Sequence, residues 1–475
     1  MVQADRTSGS PRIAVLGGGI AGLSAAFWLT ELLPTADISI LEAQDRVGGL
    51  IGTRNEDGNL LETGPLAFPT GAPATGELLR MAGLGSLCVP SLQAGSIGLW
   101  DGKRLLPFPR SPLAFLRSRL LSPLGFLRLL AEPFMPRSQD QEDETVLEFF
   151  RRRTGEEFLE CFMEPFAAGI LSGDPATMSM SANLPAFHTM EKTSGSLAIG
   201  FWKNAFSMRK AMQKNTPPSS GMVTSNLGSQ GLINGLAEEL RRRKVRLLLS
   251  HHITSIVKDG EYRIGLKTKD GTLQAQFDIV ISCLPSYALA PLIPEWPQDI
   301  REFLAAIPHA SLVLAHLGLR KTDLEGRFAG EGFLLQCGAG EGILSVFFSS
   351  RMLPNRCPRD SELLRVMLGG ARRPEIAMLA GGAIHRLATL AIRKILNPSD
   401  EPKPFPCIRH ERGLPQLLLG HTKGVAKIRH WLQESLPGFY LAGTSFNGAG
   451  IENGVASGKR AAMEALQFYQ SSLVQ

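Results

Sequence analysis

The amino-acid sequence predicts an α/β fold: a Rossmann-like dinucleotide-binding domain, a substrate domain with a mixed sheet, and an inserted helical domain. Three observations support this fold class. A glycine-rich turn follows a short apolar strand near the N-terminus, an acidic residue ends the next predicted strand, and a second glycine loop lies near the C-terminus. The 475 residues are enough for two or three domains with a large core.

The first predicted element is a buried strand over residues 13–16, followed by a glycine turn and a helix over residues 21–29. Gly17, Gly19 and Gly22 match the pattern G-x-G-x-x-G between a strand and a helix. Such glycines allow a tight turn, close approach of a pyrophosphate, and close packing of helix on strand. A glycine turn without a ligand is the alternative for this motif alone. The candidate cofactor contacts here are Gly17, Gly18, Gly19, Ile20, Ala21 and Gly22.

The next predicted strand, ADISILEA, ends at Glu42, 20 residues after Gly22. A carboxylate at this place can accept hydrogen bonds from ribose hydroxyls. Arg46 can complement phosphate charge, and Gly48 and Gly49 permit close approach of a ligand to the backbone. The pattern E-x-x-x-R-x-G-G resembles the flavin-containing amine oxidase superfamily, and this resemblance implies FAD, with an FAD-binding domain of the glutathione-reductase/amine-oxidase type. The candidate contacts here are Glu42, Arg46, Gly48, Gly49 and Leu50.

Two later segments complete the predicted cofactor domain. Residues 251–273 alternate as hairpin strands before an apolar strand in residues 276–285. In the superfamily, the position matching Ile253 lies against adenine, although a core isoleucine would give the same pattern. Near the C-terminus, a strand over 439–442 leads through a glycine loop to a helix from about residue 451, whose N-terminus would face the flavin. The candidates there are Ala449, Gly450 and Ile451.

The cofactor domain is therefore predicted to be assembled from the beginning, middle and end of the chain. The expected segments are FAD-binding parts at 11–69, 222–290 and 430–475, substrate-domain parts at 70–96, 191–221 and 291–429, and a helical membrane-associating insertion at 97–190.

The helical insertion is dense in Leu and Phe, is interrupted by prolines and carries many arginines with few acids. Basic side chains can reach lipid headgroups while leucines enter the membrane interface. We therefore expect a surface that contacts a membrane peripherally, and an arginine-rich helical bundle is the alternative. The arginines are Arg104, Arg110, Arg117, Arg119, Arg128 and Arg137.

Composition argues against several other classes of protein. The net charge of +6 is too small to indicate nucleic-acid binding, and no lysine-rich tract supports it. The six cysteines form no C-x-x-C pair and the histidines no H-x-x-x-H spacing, so no metal site is predicted. The N-terminal residues have no apolar core of a signal peptide. We expect a cytoplasmic protein with peripheral contact to the inner face of the cell membrane.

The stretch GILSGDPATMSMSANLPAFHTMEKTSGSL, at 169–197, resembles the oxygen-dependent protoporphyrinogen oxidase family. Further likeness lies in GPLAF at 64–68, GGAR at 369–372 and GLPQLLLGH at 413–421. The resemblance implies an FAD enzyme that oxidises protoporphyrinogen IX to protoporphyrin IX in haem biosynthesis, with oxygen as acceptor. It implies cofactor contacts from the second of these stretches, namely Gly64, Pro65, Leu66 and Ala67.

In such an enzyme the cofactor carries the chemistry, so no protein side chain is predicted to be catalytic. The resemblance gives Gly169, Leu334, Leu353 and Arg104 as substrate-binding candidates. A glycine carbonyl has been implicated at the substrate in the family, although Gly169 also fits a helix C-cap. Leu353 stands where the family commonly has Phe, and residues 94–97 lack the family's propionate-binding arginine, for which Arg104 is a substitute.

These departures keep coproporphyrinogen III open as the substrate. An amine oxidase is disfavoured because the four tyrosines do not suggest an aromatic cage, and a phytoene-type desaturase because of the GDPATMSM block. A flavin-fold protein that binds a tetrapyrrole without turnover is the alternative from another class. The oligomeric state is open, a homodimer included.

Overall fold

Five parallel strands form the sheet of the predicted cofactor domain. The computed structural model describes residues 10–92, 97–109, 118, 120–137, 143–203 and 221–473. The strands lie in the order β10 (Arg246–Leu248), β2 (Asp37–Leu41), β1 (Arg12–Leu16), β14 (Ile279–Ser282) and β21 (Phe439–Leu441). They come from the beginning, middle and end of the chain, as the sequence predicts.

Residues 13–16 of strand β1 are buried on both faces of the sheet, which explains why they are all apolar without alternation. Ile13 and Val15 face a core shared with the helices α1 (Ile20–Leu32), α9 (Ser229–Arg242) and α16 (Ile451–Ser472). Ala14 and Leu16 face a second core. That core is covered by an antiparallel sheet of β11 (His252–Asp259), β12 (Glu261–Thr268) and β13 (Gly271–Phe277), the hairpin strands that the sequence predicts.

A mixed sheet of eight strands forms the floor of the second domain, as predicted. One pair, between β7 and β16, is parallel, and the others are antiparallel. The helix α13 (Gly381–Leu396) covers one face through an apolar core. The strands are β7 (Ile97–Trp100), β8 (Leu105–Pro107), β15 (His309–Arg320), β16 (Gly332–Leu335), β17 (Ile343–Phe348), β18 (Ser361–Gly369), β19 (Lys403–Pro404) and β20 (Ile408–Pro415).

The position of β7 and β8 corrects one sequence expectation. Residues 97–107 belong to the mixed sheet, whereas the sequence assigns them to the start of the helical insertion. Their composition, rich in Leu and Pro, matches that of the helices that follow, and their sheet partner β16 lies far along the chain. A local pattern therefore cannot reveal that they form an edge hairpin.

Short helices connected by turns make up the inserted segment. Their core contains Val146, Phe149 and Leu159. The elements are α3 (Pro123–Leu130), α4 (Val146–Thr154), α5 (Glu156–Phe158), a π-helical turn (Leu159–Met163), α6 (Glu164–Leu171), α7 (Met180–Asn183) and α8 (Pro185–Ser194).

Some arginines of the inserted segment donate hydrogen bonds to other groups of the protein. Arg153 is fully buried and donates to the Glu132 carboxylate and to the carbonyls of Met135 and Gly195. Arg128 donates to the carbonyls of Arg152 and Arg153. This part of the segment thus has the character of the arginine-rich bundle that the sequence leaves as an alternative. Arg110, Arg117 and Arg119 lie outside the described residues.

The remaining strands and helices connect these units. The strands are β3 (Thr53–Glu56), β4 (Asn59–Glu62), β5 (Phe68–Pro69), β6 (Val89–Pro90) and β9 (Met222–Thr224). The helices are α2 (Pro73–Met81), α10 (Ser286–Leu289), α11 (Gln298–Ala306), α12 (Ser349–Met352), α14 (His421–Ser435) and α15 (Thr444–Asn447), with short 3₁₀ turns at Leu84–Leu87, Glu132–Phe134, Ala290–Leu292, Lys321–Leu324 and Pro374–Met378. In the described part of the chain, no helix has the length and apolar character needed to cross a bilayer.

Candidate functional site

The glycine turn after β1 has the geometry that its sequence predicts. Gly17 has a φ of +97°, a conformation that favours glycine. A Cβ on Gly22 would lie 1.9 Å from the Gly17 carbonyl oxygen, so this glycine lets α1 approach the strand. A Cβ on Gly19, at the N-cap of α1, would meet no atom within 4 Å. The turn therefore leaves space at the positive end of α1, where a phosphate group fits.

Glu42 lies at the end of β2 directly beside this turn. Its carboxylate accepts hydrogen bonds from the Gly18 N–H at 2.6 Å and from the Gln44 N–H at 2.8 Å, one on each oxygen. The residue is buried, with 7% of its surface exposed. Because a carboxylate offers about four acceptor positions, two remain for ribose hydroxyls. The structure thus brings Glu42 and the glycine turn together, as the sequence predicts.

In the structure Arg46 donates hydrogen bonds to protein groups, whereas the sequence suggests a phosphate as its partner. One terminal nitrogen donates to the Val47 and Ile51 carbonyls and the Gln230 side chain, and the other donates to the Gly49 carbonyl at 2.8 Å. In this arrangement the guanidinium fixes its own loop. That loop also contacts the glycine turn, since the Gly48 N–H donates to the Gly18 carbonyl.

The C-terminal helix α16 begins beside the start of α1. A Cβ on Gly458 would lie 2.3 Å from the Ala21 carbonyl oxygen, and the Ser24 hydroxyl donates to the Val455 carbonyl. Two helix N-termini therefore lie next to one another, and their dipoles favour negative charge in the same place. A Cβ on Gly450 would meet no atom within 4 Å. A Cβ on Gly454, in the first turn of α16, would lie 3.0 Å from the Ile20 side chain, so the predicted contacts Ala449, Gly450 and Ile451 lie at the end of α16 that packs against the start of α1.

Ile253 lies on β11, close to the backbone of Glu42. The His251 N–H donates to the Glu42 carbonyl at 2.9 Å, two residues before Ile253. Ile253 is half-buried and packs at the margin of the second core. Ile253 is therefore near the start of β11 and beside the end of β2, and its contact with adenine stays a prediction.

The loop Gly64–Ala67 follows β4 and lies against the loop that contains Leu50. A Cβ on Gly64 would lie 2.3 Å from the Leu50 carbonyl oxygen. The Arg365 guanidinium donates to the Gly64 carbonyl at 2.5 Å, and the His410 ring lies 2.6 Å from the Thr63 carbonyl oxygen. Sequence reasoning missed Arg365 and His410, because both come from distant strands of the mixed sheet and belong to no motif.

Buried charged side chains lie beside the Gly64–Ala67 loop. Arg365 is almost completely buried, and burial lowers its pKa to about 10. Glu62 and Arg356 are also buried, with 3.5 Å between the carboxylate and the guanidinium. Burial raises the pKa of Glu62, while the Arg356 charge opposes that change. The sequence gives no local signal for these residues, since none of them lies in a recognisable motif.

The structure brings three of the four substrate candidates together. A Cβ on Gly169 would lie 2.7 Å from the Leu334 side chain. Leu334 and Leu353 are buried in one apolar cluster with Leu66 and Ala67 of the cofactor loop. We call this group the loop-side cluster; its buried members are Leu66, Ala67, Leu99, Leu120, Leu334, Phe347 and Leu353.

Arg104 is not brought to this cluster, in contrast with the sequence expectation. It lies in the turn between β7 and β8, is 72% exposed, and its Nε is 3.6 Å from an Asp101 carboxylate oxygen. The Asp101 carboxylate also accepts hydrogen bonds from the Lys103 and Arg104 N–H groups, which fixes the turn away from the cluster. Residues 94–96, where the family's arginine is absent, lie outside the described residues.

The motifs that carry the porphyrinogen-oxidase resemblance meet one another in the fold. Arg372, in GGAR, pairs with Asp174 of GDPATMSM at 2.9 Å and with Glu164 at 3.3 Å. The Ser179 N–H of the same block donates to the Leu417 carbonyl in GLPQLLLGH. These residues therefore join the helical segment to the mixed sheet and position α6, on which Gly169 lies.

The apolar lining and the glycine cradle fit a dinucleotide cofactor rather than a metal. Within the described ranges, no group of three or more His, Cys, Asp or Glu side chains could hold a metal ion. The open space at Gly19 and Gly450, the remaining acceptor positions of Glu42 and the paired helix N-termini fit a pyrophosphate with a ribose.

Relatives match this chain over nearly its whole length. The chain is 27% identical to the coproporphyrinogen III oxidase of Bacillus subtilis, with 97% of this chain and 99% of that protein covered. It is 25% identical to protoporphyrinogen oxidase 2, chloroplastic/mitochondrial, of Arabidopsis thaliana, with 99% and 96% covered. A crystal structure from Exiguobacterium sp. 255-15 superimposes with a TM-score of 0.79 at 26% identity, covering 98% of this chain and 100% of that one.

The family model described as flavin containing amine oxidoreductase matches residues 20–466, a range that includes α1, β2, β10, β14 and β21 of the cofactor domain and the whole mixed sheet. The protein is therefore an oxidoreductase with FAD as its cofactor, and the chain belongs to the flavin containing amine oxidoreductase family.

Proposed function

We propose that this chain oxidises protoporphyrinogen IX to protoporphyrin IX, with oxygen as the electron acceptor, in haem biosynthesis. The observation that carries the proposal is the loop-side cluster, in which Leu334 and Leu353 pack with Leu66 and Ala67 of the cofactor loop. An apolar site beside the cofactor suits an apolar macrocycle and excludes water. FAD, when bound, supplies the hydride acceptor, so the protein needs no nucleophile of its own.

The residues around the cluster have positioning roles in this proposal. In this proposal the Gly169 carbonyl orients a pyrrole N–H, because Gly169 lies near the end of α6 and its Cβ position faces the Leu334 side chain. The names of the full-length relatives, which are oxidases of porphyrinogens, support the same substrate class.

Coproporphyrinogen III is the second candidate substrate, and two observations favour it. The relative from Bacillus subtilis is a coproporphyrinogen III oxidase. Leu353, in the loop-side cluster, also stands where the resemblance to protoporphyrinogen oxidases predicts an aromatic side chain, which is a departure from the pattern of that family. Both features bear on substrate choice, while the cofactor contacts are the same for either substrate.

We also propose that the helical segment contacts the surface of a membrane. Leu124, Leu127 and Leu130, three residues apart on α3, are 78%, 61% and 57% exposed, and the neighbouring Phe134 is 86% exposed. Side chains spaced in this way share one helix face, and monomeric proteins rarely expose such a face to water. The net charge of +6 favours a bilayer with anionic lipids as the partner.

The proposed reaction is tested with purified protein in air, supplied with protoporphyrinogen IX and coproporphyrinogen III in separate assays. We expect porphyrin fluorescence to increase faster with protoporphyrinogen, and flavin absorbance to bleach when the same substrate is added without oxygen. The Gly19→Ala protein, which we expect to lack FAD, controls for non-enzymatic oxidation. Preference for coproporphyrinogen would establish the second candidate, and no increase over the control with either compound would refute the proposal.

A further inference from the structure

A cavity of about 130 Å³ lies in the cofactor domain, between the hairpin strands and the helix α14. Phe439, which lines it, is the first residue of β21, so the cavity lies at the amino ends of the parallel strands. The glycine turn and the C-terminal glycine loop instead follow the carboxyl ends of β1 and β21. The cavity is therefore separate from the candidate cofactor site.

Aromatic side chains form part of the lining of this cavity, namely Tyr262, Trp296, Trp431 and Phe439. The ring centroid of Trp296 lies 5.1 Å from that of Trp431 and 5.1 Å from that of Phe439. The Tyr262 hydroxyl donates to the Leu436 carbonyl at 2.9 Å, which fixes this ring in place. Because an apolar cavity of about 150 Å³ holds benzene, the space suits a ligand with one aromatic ring.

Lys258 brings a positive charge to the same cavity. Its Nζ lies 4.0 Å from the centroid of the Tyr262 ring, and within the described residues it forms no ion pair. Burial lowers the pKa of the Lys258 ammonium, and the charges of Asp278 and Glu261 oppose that change. Both of these carboxylates, however, pair with Arg12, at 3.0 Å and 2.7 Å. A half-buried ammonium without a direct counter-ion favours an anionic ligand.

We propose that this cavity binds a small aromatic carboxylate, whose ring enters the aromatic lining and whose carboxylate pairs with Lys258. The cavity volume sets the size of the ligand, and the unpaired ammonium sets its charge. Glu295 also lines the cavity and is exposed, so an aromatic amino acid has a partner there for its own ammonium group. This binding site depends neither on the flavin nor on the proposed reaction.

The test titrates the flavin-containing protein with benzoate, followed by calorimetry and by tryptophan fluorescence. Benzamide, with the same ring and no charge, is the matched ligand, and visible flavin absorbance reports any binding beside the cofactor. Lys258→Met removes the charge, whereas Lys258→Arg keeps it. Lys267→Met is the matched control, because Lys267 is exposed on β12 and does not line the cavity. Tm identifies any variant that does not fold.

We expect saturable binding of benzoate with a Kd on the order of 1 mM or lower, and unchanged flavin absorbance. Benzamide on the wild type, and benzoate on Lys258→Met, should bind at least about tenfold more weakly, while Lys258→Arg and Lys267→Met keep the wild-type affinity. Tighter binding of L-phenylalanine than of 3-phenylpropionate, lost in Glu295→Gln, would identify the ligand as an amino acid, and the reverse order as an acid without an ammonium group. Absence of saturable binding, or equal benzoate affinity in the wild type and Lys258→Met, would overturn the inference.

Discussion

The Ser345 hydroxyl donates a hydrogen bond of 2.9 Å to the carbonyl oxygen of Gly169. Ser345 lies on β17 and is completely buried, and Gly169 lies in the last turn of α6. Carbonyls in the last turn of a helix have no partner within the helix. The bond therefore fixes the direction of a carbonyl that we propose to contact the substrate, and it joins the helical segment to the mixed sheet.

Replacement of Ser345 by Ala leaves a buried carbonyl without this donor, so we expect a loss of roughly 1–3 kcal/mol in the free energy of unfolding. Because the Gly169 carbonyl also loses its fixed direction, kcat for porphyrinogen oxidation falls with little change in flavin content. Thr154→Val removes another buried hydroxyl that donates to a carbonyl, that of Phe150, away from the proposed site. Equal kcat for the two variants would show that the Ser345 bond is structural only.

Substitution by Ala is expected to affect stability at Gly22 and FAD binding at Gly19. Gly22→Ala places a methyl group 1.9 Å from the Gly17 carbonyl oxygen, so α1 must move and Tm falls. Gly19→Ala meets open space and has an ordinary φ of −70°, so Tm of the cofactor-free protein stays near the wild-type value. The added methyl group instead occupies space at the pyrophosphate position. We expect Gly19→Ala to lose visible flavin absorbance, and retention of FAD in this variant would contradict the assigned binding site.

Glu42→Gln tests the ribose contact. In the wild type, the N–H groups of Gly18 and Gln44 each donate to one oxygen of the Glu42 carboxylate. A Gln side chain has only one oxygen, so its NH₂ group would face one of these two donors. Loss of a charge-assisted hydrogen bond corresponds to about tenfold to hundredfold weaker FAD binding. Reconstitution of the cofactor-free protein with FAD, followed by flavin fluorescence quenching, measures this change. Glu452→Gln, which alters the half-buried carboxylate that accepts hydrogen bonds from the Ala74 and Thr75 N–H groups of α2, is the control for the loss of a carboxylate elsewhere.

Local patterns predicted the cofactor cradle, because strand, turn and helix are adjacent along the chain. The spacing of Gly17, Gly22 and Glu42 depends only on one strand–helix–strand unit. Substrate-site candidates came from a family resemblance, and three of the four lie together while Arg104 does not. Arg365 and His410 could not be predicted, since their neighbours are set by strand register between segments far apart in sequence.

The exposed leucines of α3 predict binding to lipid vesicles. Leu124→Gln/Leu127→Gln removes apolar side chains that are 78% and 61% exposed, so we expect weaker binding to anionic vesicles without a fall in Tm. Leu390→Gln, at a position 62% exposed on α13, is the matched control because it lies on a different domain. Co-sedimentation with anionic and with neutral vesicles measures the effect. Equal sedimentation of wild type and double variant would rule out this face as the lipid contact.

The lowered pKa values of two buried histidines lead us to predict that acid destabilises the folded protein. His316 is completely buried on β15, opposite Arg365 on β18, and burial together with the Arg365 charge lowers its pKa to about 3. Burial likewise lowers the pKa of His421 to about 4. The unfolded chain binds protons at these side chains below about pH 6.5, whereas the folded protein does so only near its lower pKa values. Stability is thus fully present above pH 6.5 and is lost progressively as the pH falls toward 4.

The variant His316→Leu isolates this contribution, because it removes the imidazole and leaves an apolar side chain among its neighbours. Neither ring nitrogen of His316 has a hydrogen-bond partner within the described structure, so the substitution breaks no bond there. We expect the fall of Tm between pH 7 and pH 4 to be shallower in His316→Leu than in the wild type. His430→Leu, at an exposed position, controls for the loss of one imidazole. An unchanged pH slope in His316→Leu would mean that other groups, such as the buried carboxylates, determine acid unfolding.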